Sequence, residues 1–443
     1  MTTGTEARRG TQPEPSAPRT GGTDRPGTDS RAVGAGFAVP RPGLATTLVL
    51  LGVYAASRLV TTLFLAVVHA LTATATWAQH DGGPGFAGYL SSWDAVFYRE
   101  ISERGYPAEL PRDDDGQVVK NAWAFMPLFP ALVRVVRPVV GGDWLIAAIV
   151  VAVLAGAGAT LVLHRLMLTR FGARASFWGA VFFCVAPMSF VLQVPYAESL
   201  FLLLMFGALL AMTLRRWAWF TVLGVLASVA HPGSLALSAA LGLTWLVRLV
   251  RDRRATRRDE HEHDLDLDLD LDHDHGRTPL AEHLRIWAAG LVVTAAGFAW
   301  PVVVAVVTGE RDGYFATESS WWRDYIGSDG FVPFTPWFRF GEAMAGWLGV
   351  VAVVLLLAVV VLGLVRRSQR LGLELQTYTI GWVAYLVAVF LPQQSSFRML
   401  MPLAPLLGDP QLSATRRRVV VTIVAGLALQ VVAIVLLWTA WPP

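Results

Sequence analysis

The sequence predicts an all-α, polytopic membrane protein. Three observations carry this. Apolar residues make up 54% of the chain against 16% charged. The mean hydropathy is +0.49, and several runs reach the ~20 apolar residues that a helix needs to cross a bilayer. Arginines punctuate these runs in clusters, as loops on the cytoplasmic side of a membrane do.

The first element is a tail. Residues 1–43 are rich in Gly, Pro, Thr, Ser and Arg and have almost nothing to bury, so the sequence predicts a disordered cytoplasmic tail. It does not read as a signal peptide, because the apolar stretch begins too late and is too long. From residue 44 to 443 the chain reads as one transmembrane domain. Its apolar segments are 44–70, 144–164, 176–192, 196–214, 217–230, 233–247, 286–307, 343–365, 375–391, 399–409 and 418–440. This predicts a bundle of about ten to eleven transmembrane helices. Segments 217–230, 233–247 and 399–409 are short, which suits tilted or broken helices. The stretch 122–140 is apolar but interrupted by Pro127, Pro130 and Pro138, and reads as re-entrant or interfacial.

Arginine clusters stand at Arg165/Arg170/Arg174, Arg215/Arg216, Arg248 to Arg258, Arg366/Arg367/Arg370 and Arg416 to Arg418. With the N-terminus inside and all eleven segments crossing, every cluster falls on the cytoplasmic side. Two large loops, 71–143 and 308–342, then face outward, and 248–285 is a cytoplasmic loop. That loop holds the low-complexity tract HEHDLDLDLDLDHDH. Its His261, His263, His273 and His275 have metal-binding chemistry, but a solvated acidic tract beside a basic one explains it more simply.

Composition also excludes. A net charge of +3 gives no reason to expect a nucleic-acid partner. Cys184 is the single cysteine, so there is no intramolecular disulfide and no cysteine metal site. There is no G-x-x-x-x-G-K-[ST] loop and no G-x-S-x-G elbow. Nor is there a soluble domain large enough for a nucleotide-sugar site, so an activated donor would have to arrive through the lipid. Lys120 is the only lysine among abundant Ala, Gly, Val and Arg, which suggests a GC-rich bacterial genome.

The most informative stretch is SSWDAVFYREISERGY, residues 91–106. Trp93, Val96, Phe97 and Ile101 have helical spacing, with Arg99, Glu100, Ser102 and Glu103 opposite, so a short interfacial helix is expected. Asp94 sits near its N-terminus, one turn before Tyr98, where the helix dipole favours a carboxylate. Other ionisable groups lie in or beside spans, where each needs a partner or a function. Glu198 opens a span just after Tyr196. His231 breaks two short segments at AHPGS. Arg398 is an outer-side arginine between two spans. Arg58 stands in mid-span and calls for a carboxylate or a ligand phosphate. Each also has a plain structural reading: a helix-entry acid, a kink with a satisfied histidine, a snorkelling arginine. Trp321 and Trp322, in the second outer loop, suit a stacking wall for a sugar ring or an interfacial anchor.

W-D-x-x-x-Y-x-x-I-x-x-x-G-Y, at Trp93, Asp94, Tyr98, Ile101, Gly105 and Tyr106, resembles the first-loop motif of the PIG-V-like mannosyltransferases, the family of GPI mannosyltransferase 2 and many bacterial membrane proteins. The likeness continues in order through AFMPLFPALVR (124–134), PYAESLFLLL (195–204), the Ala227–His231–Pro232–Gly233 stretch and SFRMLMPLAPL (396–406). It departs where His231 replaces the usual arginine and Met399 replaces tyrosine.

The resemblance implies a GT-C-like bundle whose exoplasmic loops form the site. It implies inverting transfer of a sugar, usually mannose, from a polyprenyl-phosphate-linked donor at the outer face of the plasma membrane. It makes Asp94 the general base. Arg398, His231 if protonated, and Arg58 would hold the donor phosphate. Trp93, Tyr98, Tyr196, Glu198, Trp321 and Trp322 would bind sugar or acceptor. Membrane lipids are the other expected partners. No cofactor is required, and a divalent cation is left open. Rival readings are a GT-C enzyme using another lipid-linked sugar and a lipid-linked-sugar flippase or transporter, which would need a midplane site between two repeated halves.

Overall fold

The computed structural model describes residues 42–79, 81–263, 279–323, 327 and 332–441, and among them the chain is all helical, with no strand. The proposed tail 1–43 lies almost wholly, and the acidic tract 261–275 lies from residue 264 onward, outside the described residues. Among the described residues six helices are long and apolar enough to cross a bilayer: Leu44–Thr72, Trp144–Leu168, Pro232–Arg254, Leu280–Thr308, Pro336–Leu371 and Arg416–Ala440.

The other apolar segments fold into shorter pieces. Segment 176–192 becomes α6 (Ala173–Cys184) and a 3₁₀ turn, Ser189–Leu192. Twelve residues of α-helix rise only about 18 Å, well short of the ~30 Å hydrocarbon core. Segments 196–214 and 217–230 become α7 (Glu198–Thr213) and α8 (Trp217–Ser228), and 375–391 becomes α13 (Leu373–Val389). Segment 399–409 lies within a 3₁₀ stretch, Gln394–Gly408, rather than an α-helix. Pro402 and Pro405 fall inside it and lack the N–H groups that an α-helical ladder requires. The short segment 233–247 belongs to one continuous helix, α9 (Leu235–His263), which runs on through the arginines expected to begin a loop.

The outer-loop elements are short. α1 (Leu44–Thr72) is followed by α2 (Gly85–Leu90) and α3 (Asp94–Arg104). α4 (Leu128–Val136) begins directly after Pro127 and is far too short to span. α5 (Trp144–Leu168) packs most extensively on α7. Its buried face is a run of small residues, Ala147, Ala148, Ala152, Ala155, Gly156 and Ala159, which lets neighbouring backbones approach closely. α7 is buried on nearly every side, so even the acid at its first position, Glu198, is enclosed by protein. α10 (Leu280–Thr308) leads through the short α11 (Gly313–Ser319) to α12 (Pro336–Ser368). Val351, Val354, Leu355, Leu356 and Val359 on α12 stay exposed, as side chains facing lipid tails do. α14 (Arg416–Ala433) ends in a π-helical turn, Ile434–Ala440, whose Trp438 is buried.

The charged side chains sort to two ends of this bundle. Glu374, at the start of α13, bonds both Arg170 and Arg248. Asp409 pairs with Arg367 and Arg370 at 3.5 and 3.6 Å. Arg215, just beyond α7, pairs with Glu282. The other ends of the same elements carry Glu198 on α7, His231 before α9, Tyr385 on α13 and Arg398 in the 3₁₀ stretch, and these four converge on one cavity. With a ~2 Å rise per residue, the 3₁₀ stretch alone separates Arg398 from Asp409 by about 20 Å.

Candidate active site

Asp94 is aimed by an unusual junction. Trp93 adopts φ +62°, a left-handed conformation that is rare for a bulky residue and is held only where neighbours enforce it. Its N–H donates to the Asp81 carboxylate at 2.7 Å, and its indole N–H donates to the Trp438 carbonyl at 2.9 Å. Trp438 in turn donates to the Tyr89 carbonyl. The last turn of the chain therefore clamps the loop that presents Asp94. α3 buries Ile101, as the periodicity suggests, but leaves Trp93, Val96 and Phe97 only half-buried. It is rolled so that Asp94, Ala95, Tyr98, Ile101 and Ser102 are buried, because it packs on protein rather than on an interface.

Arg398 organises the site. Its Nη1 donates to Asp94 Oδ2 at 2.5 Å and lies 3.1 Å from Glu198 Oε1, with all three side chains largely buried. Its guanidinium sits 5.2 Å from the centre of the Tyr196 ring. The Tyr196 hydroxyl accepts the Asp94 N–H at 3.2 Å. One cation thus joins residues 94 and 198, and its buried Nε has no partner. Ser395, one 3₁₀ turn earlier, also lines the cavity with an unpartnered buried hydroxyl.

The cavity, about 160 Å³, is lined by Asp94, Tyr98, Glu198, His231, Trp321, Trp322 and Arg398 among the residues singled out from sequence. Tyr196 lies behind it. Trp93 does not line it and acts as the clamp for Asp94. Arg58 is also elsewhere: Nη1 donates to the Ser189 carbonyl and Nη2 to the Cys184 carbonyl at 2.7 Å. The protein partners of this mid-span arginine are backbone carbonyls where α6 unwinds, not a carboxylate, and Arg58 does not line the cavity.

His231 also differs from expectation. Its Nδ1 accepts the Gly233 N–H at 3.2 Å, which places the proton of the neutral ring on Nε2. Burial, with Arg398 nearby, pushes its pKa down to about 3. His231 is therefore a neutral N–H donor, not the protonated cation that a stand-in for arginine would be.

The sequence reading missed Glu318, Tyr314, Tyr385, Phe125 and Gln393, all of which line the cavity. Tyr314 and Glu318 share one turn of α11, and the Tyr314 hydroxyl hydrogen-bonds the Glu318 carboxylate. The spacing Y-x-x-x-E just before Trp321-Trp322 was the available signal. Burial raises Glu318 to about 7, opposed by the Tyr314 bond and assisted by Asp94. Among the described residues no group of three His, Cys, Asp or Glu side chains is arranged to hold a metal.

Fold and cavity define an all-α, multi-span membrane protein with a charged, aromatic-walled site at one end of its bundle. Residues 53–240 match the family described as mannosyltransferase (PIG-V), and over that stretch the chain is PIG-V-like. It is 32% identical to GPI alpha-1,6-mannosyltransferase 2 of Homo sapiens over 135 residues, which are 28% of this chain and 25% of that protein. It is 28% identical to the Mus musculus protein over 168 residues, 35% of this chain and 32% of that one. The aligned portion is thus a quarter to a third of these relatives' length. Two solved structures are similar in fold. The Archaeoglobus fulgidus oligosaccharyltransferase gives a TM-score of 0.44 at 12% identity, covering 88% of this chain and 54% of that one. ArnT from Cupriavidus metallidurans, solved with undecaprenyl phosphate, gives 0.46 at 18% identity, covering 87% and 64%. The family match includes Asp94, Glu198 and His231, whereas Glu318 and Arg398 lie beyond it.

Proposed function

We propose that this protein is a GT-C-like glycosyltransferase that moves mannose from a polyprenyl-phosphate donor to an acceptor hydroxyl on the outer face of the plasma membrane. The observation that carries this reading is Arg398, bonded to Asp94 and Glu198 in one cavity while its Nε remains unpartnered. The PIG-V-like sequence around Asp94 supports it.

In the proposed reaction the acceptor oxygen attacks the anomeric carbon. The bond from that carbon to the phosphate oxygen breaks, and the configuration inverts. The proton of the hydroxyl passes to Asp94, and the bonding pair leaves with the lipid phosphate. The phosphate gains a charge as it departs, and fixed donors stabilise that charge most where water is scarce. Arg398 Nε, the neutral His231 Nε2–H and the Ser395 hydroxyl are the donors available. A phosphate that takes Arg398 also frees an oxygen of Asp94, so donor binding and base release are one event. Glu198 keeps Arg398 in place throughout. A transporter would need a site at the membrane midplane, and the titratable residues here gather at one end of their helices.

The test is transfer by purified full-length protein from radiolabelled polyprenyl-phosphate-mannose to a panel of cell-envelope acceptors, with Asp94→Asn alongside. The variant should insert normally and lose at least ~10²-fold in rate, the lower range for a general base. No transfer by the wild type, or a variant as fast as the wild type, would sink the reading.

A further inference from the structure

Two of the cavity's carboxylates, Asp94 and Glu198, are bound to Arg398. Among the described residues no arginine or lysine pairs with the third, Glu318. Its hydrogen-bonding neighbour is the Tyr314 hydroxyl, and both residues line the cavity. Glu318, Trp321 and Trp322 line the same space from a stretch of five residues.

That stretch is held firmly. Asn121 donates to the Thr317 hydroxyl at 3.2 Å, and Ser320 donates to the Thr317 carbonyl. Arg323 donates to the Val118 carbonyl at 2.7 Å. Trp321 packs edge-on against Phe97 and Phe125, on the first outer loop and α3. A fixed carboxylate beside indole rings is the chemistry that binds a polyhydroxylated ring. The carboxylate accepts hydrogen bonds from hydroxyls, and the ring's C–H face lies on the aromatic surface. Asp94 and Glu318 line the same cavity, so a bound ring has a carboxylate on each of two walls to meet its hydroxyls.

We propose that Glu318, with Trp321 and Trp322, forms a hexopyranoside subsite, in which Glu318 accepts hydrogen bonds from ring hydroxyls and the indoles cover the C–H face. Calling this ring the acceptor rests on the transferase reading, but the binding of a ring does not. Glu318 is a binding residue here, and the transferred proton goes to Asp94.

The experiment is saturation-transfer-difference NMR on the purified full chain in micelles. The probes are the methyl α-glycosides of mannose, glucose and galactose. The wild type should saturate at least one glycoside, Glu318→Gln should lower that signal at least ~5-fold, and Glu318→Asp, which withdraws the carboxylate by one methylene, should lower it less. If Glu318→Gln does not fold, the Asp variant alone must still weaken binding. Wild-type protein that saturates none of the three, or folded variants with undiminished signal, overturns the subsite. A wild type that binds a glycoside but transfers nothing from polyprenyl-phosphate-mannose sinks the transferase reading and leaves the subsite standing. Where transfer is measured, Glu318→Gln should raise the acceptor KM at least ~10-fold and lower kcat by less. A ~10²-fold loss of kcat at unchanged KM would make Glu318 the proton acceptor and overturn the assignment.

Discussion

Arg58 and Arg398 show how two buried arginines in one bundle come to do different things. Arg58 gives its donors to the Cys184 carbonyl at the end of α6 and the Ser189 carbonyl of the following 3₁₀ turn, so its work is complete without a ligand. Arg398 shares one nitrogen between two acids and keeps another unpartnered. Arg58→Met should therefore lower the melting temperature, because each stranded buried carbonyl costs about 1–3 kcal/mol. Turnover per folded molecule should stay in the wild-type range. A folded variant without transfer activity would return Arg58 to the donor site.

Glu318 makes the stability of the fold depend on pH. Its folded pKa is raised to about 7, and its ordinary value is 4.5. Between those values the unfolded chain gives up the proton and the folded chain keeps it. Stability from this group is thus full below about pH 4.5, falls as pH rises through 7, and is level above that. In Glu318→Gln the dependence disappears. Its melting temperature relative to wild type should climb from pH 5 to pH 7.5, as read by thermal unfolding in detergent. A difference that stays constant across that range would contradict the raised pKa.

Among the elements, the junction at 228–235 shows what a break in a helix can be for. Gly233 lies against two rings: a Cβ there would stand 2.6 Å from Trp382 and 3.2 Å from Phe201. Trp382 donates its indole N–H to the Met399 carbonyl at 2.8 Å, next to Arg398. Gly233→Ala should push Trp382 and so displace Arg398, lowering stability by about 1–3 kcal/mol, the range for overpacking, and lowering transfer with it. Gly242 lies farther along α9 with nothing within 4 Å of its Cβ position. Gly242→Ala should be neutral or stabilising by about 0.5–1 kcal/mol. Melting curves and transfer rates of the two variants check both, and equal effects would remove the packing explanation.

This junction also marks how far the sequence could be read. A-H-P-G announced a break, and Asp94, Glu198 and Arg398 announced themselves as charges in apolar surroundings, so the structure finds them in one place. The state of His231 depends on a hydrogen bond two residues along and on burial by Phe201, which residue type alone does not encode. Segments 176–192 and 399–409 have the composition of spans, but their prolines and their burial by neighbouring helices make them short or 3₁₀. Glu318 was hidden because a glutamate in a polar loop is ordinary until α10 and the Ala122–Ala124 turn pack against α11.

For the molecule as a whole, the separation of charge between the two ends gives the last prediction. The arginine clusters were distant in sequence, and the structure brings several together around Glu374 and Asp409. The cavity lies at the other ends of the elements that carry them. Arginine-rich ends of spans stay on the cytoplasmic side, and a guanidinium at the bilayer centre costs about 2.5–3.5 kcal/mol on insertion scales. The cavity, Asp94 and residues 308–342 should then face outward, where a lipid-linked donor and envelope acceptors can meet. Reporter fusions should place residues after Arg254 and after Arg370 in the cytoplasm and residues 108–116 and 310–312 outside. Cysteines introduced at Asp114 and Asp312 should react with a membrane-impermeant maleimide in intact cells, and cysteines at Arg253 and Gln369 only after lysis. Labelling of both groups from one side would mean that the two charged ends do not lie on opposite faces of the membrane. The arginine-based orientation would then fall, even if the cavity and its chemistry stood.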